Sequence, residues 1–179
     1  MPEAVPVPEV ELRSYIRDVP DYPKPGILFR DITPLLSDGA AFRSACTRLS
    51  DLFRAEAVGA VASIESRGFT FGAVIAFQLG VGVVPVRKAG RLPAAVLSSA
   101  YQLEYGEAIL EMHRDAIAPG TRVLVVDDLL ATGGTALATL DLIERLGGVA
   151  VGFGFVIELL ELEGRERLAS HRVEALLAL

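Results

Sequence analysis

One cysteine, two histidines and no tryptophan stand among the 179 residues of this chain. A lone Cys46 excludes an intrachain disulfide. It falls on the apolar stripe of an expected helix with Phe42, Leu49 and Phe53, which makes it a packing residue rather than a catalytic thiol. His113 and His171 have no metal-ligand spacing with each other or with Cys46, so no zinc site is expected. No apolar run approaches the roughly 18 residues of a membrane span. The first residues, Met1-Pro-Glu-Ala-Val-Pro-Val-Pro-Glu9, are acidic and proline-punctuated, unlike a signal peptide. These absences point to a cytoplasmic chain without a membrane partner. Cations are also scarce: 17 Lys and Arg against 23 Asp and Glu give a net charge of −6. No basic tract exceeds Arg87-Lys88, which argues against a nucleic-acid partner. The P-loop string G-x-x-x-x-G-K-[ST] is missing, and Gly152 and Gly154 lack the third glycine and following helix of a dinucleotide fingerprint.

What is present is a compact globule: 51% hydrophobic and 22% charged residues, with a length that suits one domain over residues 1–179. No repeat or linker divides it. Pro8 to Arg17 reads as a short helix, Asp21 to Gly26 as a rigid turn, and Ile27 to Phe29 as a brief extended piece. Helical spacing marks Gly39 to Glu56, and a further helix is expected over Phe69 to Leu79. Strands are expected at Val58–Ile64, Val81–Val86, Arg122–Asp127 and Val149–Ile157, and a hairpin over Ala100–His113. Large residues at 149, 151, 153, 155 and 157 alternate mostly with small ones, so one face of that strand should lie under a closely packed helix. The alternation of strands and helices predicts an α/β fold: a doubly wound, mainly parallel sheet with helices on both faces, plus an antiparallel hairpin. With its polar tip Glu104-Tyr105-Gly106-Glu107, a hairpin over about 98–114 suits a lid.

The most specific stretch is Val123-Leu-Val-Val-Asp127-Asp128-Leu-Leu-Ala131-Thr132-Gly133-Gly134-Thr135. A buried parallel strand ends in two carboxylates; a loop of small and hydroxylated residues and then a helix follow. Gly133 and Gly134 tolerate left-handed backbone and close ligand approach. Thr132 and Thr135 add hydroxyl donors, and the helix offers its positive end, so Ala131–Thr135 can cradle a dianion. Asp127 and Asp128 would repel that anion unless sugar hydroxyls or Mg²⁺ lie between. A phosphorylated sugar meets these demands.

Three further groups could join it. Glu65-Ser66-Arg67-Gly68 follows a strand and opens a helix; Arg67 could fork a second phosphate, or be a solvated charge beside a Ser66 N-cap. Gly68 would permit an unusual backbone geometry there. Arg87-Lys88-Ala-Gly-Arg91 ends the next strand and should share the crevice. Phe29-Arg30 offers an aromatic face and a guanidinium to a planar base, with plain core as the alternative for Phe29. Glu104 is a solvated turn residue, or a proton-exchanging carboxyl if the hairpin closes over a ligand.

In this order, the segments Asp21–Pro34, Glu65–Phe69, Arg87-Lys88, Leu92-Pro93, Tyr101-x-Leu-Glu-Tyr-Gly106 and the Asp127–Thr135 signature resemble the adenine phosphoribosyltransferases, a branch of the type I phosphoribosyltransferases. That resemblance implies conversion of adenine and 5-phosphoribosyl 1-pyrophosphate (PRPP) to AMP and pyrophosphate with Mg²⁺. It implies that Asp127 and Asp128 hold the ribose hydroxyls and that Ala131, Thr132, Gly133, Gly134 and Thr135 hold the 5′-phosphate. Arg67, Lys88 and Arg91 would contact pyrophosphate. Leu28, Phe29 and Arg30, in an N-terminal hood of about 1–35, would hold adenine, and Glu104 and Tyr105 would act in the flap. Any Mg²⁺ would arrive with PRPP, touching Asp127 or Asp128 through water, and the chain would be a homodimer. Arg91 stands where the family often has lysine, and Glu65 where some members have aspartate. The signature is shared with enzymes for xanthine or hypoxanthine and with non-catalytic PRPP-sensing regulators. The short acidic N-terminus and the flap glutamate favour an enzyme.

Overall fold

The structure is a computed structural model and describes residues 10–102 and 107–179. The hairpin residues Glu104 and Tyr105 therefore lie outside the described residues. The chain forms two compact units, residues 1–48 and 49–179.

In the first unit the expected Pro8–Arg17 helix is a single tight turn, Leu12–Tyr15. Both the Ser14 amide and its hydroxyl bond the Glu11 carbonyl, the i→i+3 pattern of a 3₁₀ turn. The chain then enters a strand, β1 (Arg17–Pro20), which pairs antiparallel with β2 (Leu28–Asp31). The expected turn between them is closed by Asp21, whose carboxylate accepts the Gly26 N–H at 2.8 Å. The Tyr22–Pro23 bond inside it is cis. A short helix α1 (Thr33–Ser37) precedes α2 (Gly39–Phe53). Asp38 Oδ1 accepts the N–H groups of Ala40 and Ala41, which fixes where α2 begins. Cys46 is fully buried, and burial pushes its thiol up to about 12, as suits a packing residue.

The second unit is built on a seven-stranded sheet. Its strands are β3 (Ala60–Ile64), β4 (Gly82–Lys88), β5 (Val96–Gln102), β6 (Glu107–His113), β7 (Arg122–Leu130), β8 (Val149–Glu158) and β9 (Val173–Ala178), in spatial order 5-6-4-3-7-8-9. The five strands from β4 to β9 are parallel; β5 and β6 form the antiparallel hairpin at one edge. Helix α4 (Gly134–Arg145) covers one face, where Ala136, Leu140 and Ile143 join a core with Ile64, Val125 and Phe153. Side chains alternate across a strand, so β8 turns Gly152 and Gly154 to the other face. There the Phe53 ring of α2 packs so closely that a Cβ on Gly152 would lie 2.6 Å from it. Helix α3 (Gly68–Leu79) shares this face, with Gly72 seated on Ser63 of β3. The doubly wound sheet and the edge hairpin are thus as the sequence predicts. Strand β9 is additional, and β7 runs three residues past Asp127.

Candidate active site

Parallel strands deliver their carboxyl ends to one edge of the sheet, and the chemistry-bearing residues gather there. An open cavity of about 410 Å³ is lined by Glu65, Ser66 and Arg67 after β3, Lys88 at the end of β4, and Asp127, Asp128 and Leu129 of β7. Ala131 and Thr135 close it on the side of α4. Of the expected phosphate and sugar residues, Arg67, Lys88, Asp127, Asp128, Ala131 and Thr135 therefore meet around one space. Arg91, Thr132, Gly133 and Gly134 do not line it.

The acidic pair is buried, with Asp127 8% and Asp128 4% exposed. At that exposure little water is left to solvate two charges. Burial raises the Asp127 carboxyl well above the ordinary range, and the Asp128 charge beside it raises it further. Burial also raises Asp128, but the Arg67 guanidinium opposes the shift. The Arg67 Nε lies 2.7 Å from Asp128 Oδ2. Both carboxyls are thus raised by burial, and only Asp128 has a cation directly against it. Tyr101 of β5 belongs to the same electrostatic group: burial, and then the Asp127 charge, raise its phenol. Its place here has no local signal in the sequence, because pairing along β5 and β6 sets its neighbours.

The loop that carries Arg67 is fixed from below. Glu65 accepts the Lys88 N–H at 3.1 Å and the Arg87 Nε at 3.1 Å, and Arg87 also donates to the Arg91 carbonyl at 2.9 Å. Burial works against the Glu65 charge, but these donors outweigh it and hold the carboxyl below its usual range. The longer acid at 65 thus ties the two basic loops together, with Arg87 as a link rather than a ligand. The Glu65–Ser66 peptide is cis, a feature without a local sequence signal. Gly68 has an ordinary backbone, contrary to the expectation of an unusual one; its role is steric. A Cβ there would lie 2.7 Å from Asp127 Oδ1 and 3.0 Å from the Val126 carbonyl, so only glycine lets α3 come this close to β7.

The loop before α4 uses the conformational freedom expected of its glycines at one of them. Gly133 takes the left-handed conformation at φ 79°, and α4 begins at Gly134 without a side-chain cap. Its first-turn N–H groups therefore have no capping oxygen, as an anion site requires.

In the first unit, Arg30 is 14% exposed at its side chain and pairs with Asp18 at 2.6 Å. Asp18 also takes Arg13 at 2.6 Å, and hydrogen bonds from Arg30 and Arg13 hold its carboxyl down. Phe29 stands edge-on to Tyr22 with ring centroids 5.2 Å apart, and Leu28 is exposed. Phe29 and Arg30 are consecutive on β2, so the aromatic ring and the guanidinium leave opposite faces of the strand, and the guanidinium is engaged by Asp18.

Among the described residues no three His, Cys, Asp or Glu side chains form a metal cluster, and no helix is long and apolar enough to cross a membrane.

Residues 37–172 match the phosphoribosyl transferase domain family, and the chain belongs to it. Within that class the relatives are specific. An adenine phosphoribosyltransferase of Methylococcus capsulatus is 59% identical over 167 residues, covering 93% of this chain and 98% of that one. The crystal structure of the adenine phosphoribosyltransferase of Thermoanaerobacter pseudethanolicus superimposes with a TM-score of 0.92 at 47% identity, covering 94% and 98% of the two chains. That of Saccharomyces cerevisiae, complexed with an imino-altritol bisphosphate and adenine, gives 0.87 at 38% identity, with 93% and 96% covered. The chain is a member of the adenine phosphoribosyltransferases, transferases of purine salvage.

Proposed function

We propose that the cavity transfers phosphoribose from PRPP to adenine, giving AMP and pyrophosphate, with the following division of labour. Asp127 and Asp128 accept hydrogen bonds from the ribose hydroxyls, and Ala131 to Thr135 hold the 5′-phosphate. Arg67, Lys88 and Arg91 face the pyrophosphate. Leu28, Phe29 and Arg30 hold adenine. The observation that carries this reading is the gathering around one space of about 410 Å³ of Arg67 and Lys88 with the buried acidic pair, Arg67 lying 2.7 Å from Asp128, beside the start of α4. The cations suit a departing pyrophosphate, and the acidic pair suits the positive charge that develops on the sugar ring. Adenine N9 forms the new bond to the anomeric carbon. The bond to pyrophosphate oxygen breaks with its electron pair, and the N9 proton passes to Glu104, with Tyr105 beside it in the flap.

Mg²⁺ fits this site as a passenger of PRPP. Two carboxylates are present, Asp128 with its Oδ2 ion-paired to Arg67, and Mg²⁺ is commonly held by one or two carboxylates plus phosphate oxygens and water. When bound it would neutralise charge developing on the leaving group. The enzyme acts in the cytoplasm, where its highly charged substrate is retained. It acts as a homodimer; exposed Phe77 on α3 and Val83 on the adjoining β4 support an apolar contact between copies.

Purified protein given adenine, PRPP and Mg²⁺ should release AMP and pyrophosphate in equal amounts, each dependent on both substrates. AMP formation without PRPP, or no pyrophosphate at all, would refute the reading.

A further inference from the structure

The phosphate cradle leans on a segment to which the sequence assigned nothing, the stretch Leu159–Leu168 between β8 and β9. Gly164 is buried against the back of the loop. A Cβ on it would run into the Ala131 carbonyl oxygen and stand 3.0 Å from the Gly133 nitrogen. The contact is mutual, since a Cβ on Gly133 would lie 2.9 Å from the Gly164 carbonyl oxygen. Three residues on, Arg167 Nη1 donates to the Thr132 carbonyl at 3.1 Å.

The segment is itself anchored. Arg165 forks the buried carboxylate of Glu158, at the end of β8, with Nε 2.9 Å and 3.1 Å from its two oxygens. Its Nη1 donates to the Val173 carbonyl of β9 at 2.6 Å. The Leu159 N–H reaches the Leu130 carbonyl at 2.9 Å, and Leu168 is fully buried. A backbone wall, held by two strands, thus stands behind a loop that has little rigidity of its own. Small residues and two glycines leave Ala131–Gly134 many conformations in isolation. The peptide group is planar, so tethering the Thr132 carbonyl also sets the direction of the Gly133 N–H. The guanidinium further adds a positive charge behind a site that must hold a dianion in an acidic protein.

We propose that Gly164 and Arg167 are positioning residues for the 5′-phosphate: they hold Ala131–Gly133 in the shape that binds it. This rests on the reading that Ala131–Thr135 is the phosphate cradle. AMP and adenine affinities are measured by titration calorimetry, with melting temperatures, for wild type, Arg167→Gln, Arg167→Lys, Gly164→Ala and Thr135→Val. Arg167 is exposed, so its variants should fold. Arg167→Gln should weaken AMP on the order of tenfold and raise the KM for PRPP comparably. It should leave adenine affinity unchanged and the melting temperature near that of wild type, and Arg167→Lys should recover part of the loss. Gly164→Ala should weaken AMP more. If Thr135→Val weakens AMP while both Arg167→Gln and Gly164→Ala bind it within about twofold of wild type, the brace has no positioning role and the cradle stands. If Thr135→Val also binds AMP normally, the cradle reading fails and takes the proposal with it.

Discussion

Gly68→Ala is the smallest change that tests how the site is assembled. The added methyl would lie 2.7 Å from Asp127 Oδ1 and 3.0 Å from the Val126 carbonyl, where ordinary contact begins near 3.4 Å. Val126 and Asp127 belong to a strand paired on both sides, so the β7 backbone cannot retreat. The displacement, about 0.7 Å by those distances, must fall on the Asp127 side chain or on the start of α3, which carries Arg67. Overpacking of this size costs about 1–3 kcal/mol, while replacing glycine in a helix returns up to about 1 kcal/mol. A net loss of about 0–3 kcal/mol leaves the protein folded. Catalysis should suffer more, because shifts of this order in a substrate-holding group cost up to about 10²-fold. The assay pairs thermal unfolding with steady-state kinetics in PRPP. Gly82→Ala serves as the control, since nothing lies within 4 Å of a Cβ there. Wild-type stability and PRPP kinetics in Gly68→Ala would refute the claim that α3 must approach Asp127 this closely.

Other consequences follow from the acidic pair and the flap. Asp127 is held above its unfolded value of 3.8, so folding favours its protonated form. Its contribution to stability is complete below that value and is lost as pH rises through the raised native one. Asp127→Asn should therefore gain melting temperature relative to wild type between about pH 7 and about pH 8 and lose that advantage toward about pH 4; a gap that does not change with pH would contradict the burial argument. Arg67→Gln removes the cation facing Asp128 and should weaken PRPP by at least about tenfold in calorimetry while sparing adenine, since charge-assisted pairs are worth about 1.5–3 kcal/mol. Glu104→Gln should lower kcat by roughly 10²–10⁴ with PRPP affinity retained if the carboxyl takes the base proton; unchanged turnover would assign the proton to water.

Legibility followed the range of the interactions. Val123–Thr135 could be read because every part of it is local: a β-branched run, two acids, small residues, a helix. Gly152 and Gly154 announced a close helix in the same way, and Phe53 is what lies against them. Arg67 and Lys88 were placed correctly at one edge because parallel strands impose it. The Arg67–Asp128 pairing was not legible, since it joins the start of α3 to a strand about sixty residues on. Gly68 was read as a conformational glycine, but its constraint comes from Asp127, 59 positions away in the chain. Strand β9 is short and edge-lying, and it follows a stretch of turns rather than a helix, so the strand–helix alternation gave it no place. The wall formed by Gly164 and Arg167 likewise has meaning only against a loop about thirty residues earlier. Arg17 reads as the end of a helix and Asp18–Pro20 as no element, because the pairing of Arg17–Pro20 with Leu28–Asp31 depends on a turn between them.

The most direct test of the central claim is turnover with PRPP, Mg²⁺ and each of adenine, hypoxanthine, guanine and xanthine under identical conditions. The account predicts rapid AMP formation from adenine and far slower reaction with the three oxo-purines. Equal or faster turnover of an oxo-purine would contradict the assignment of Phe29 and Arg30 to adenine, and no turnover of any base would contradict the enzyme itself.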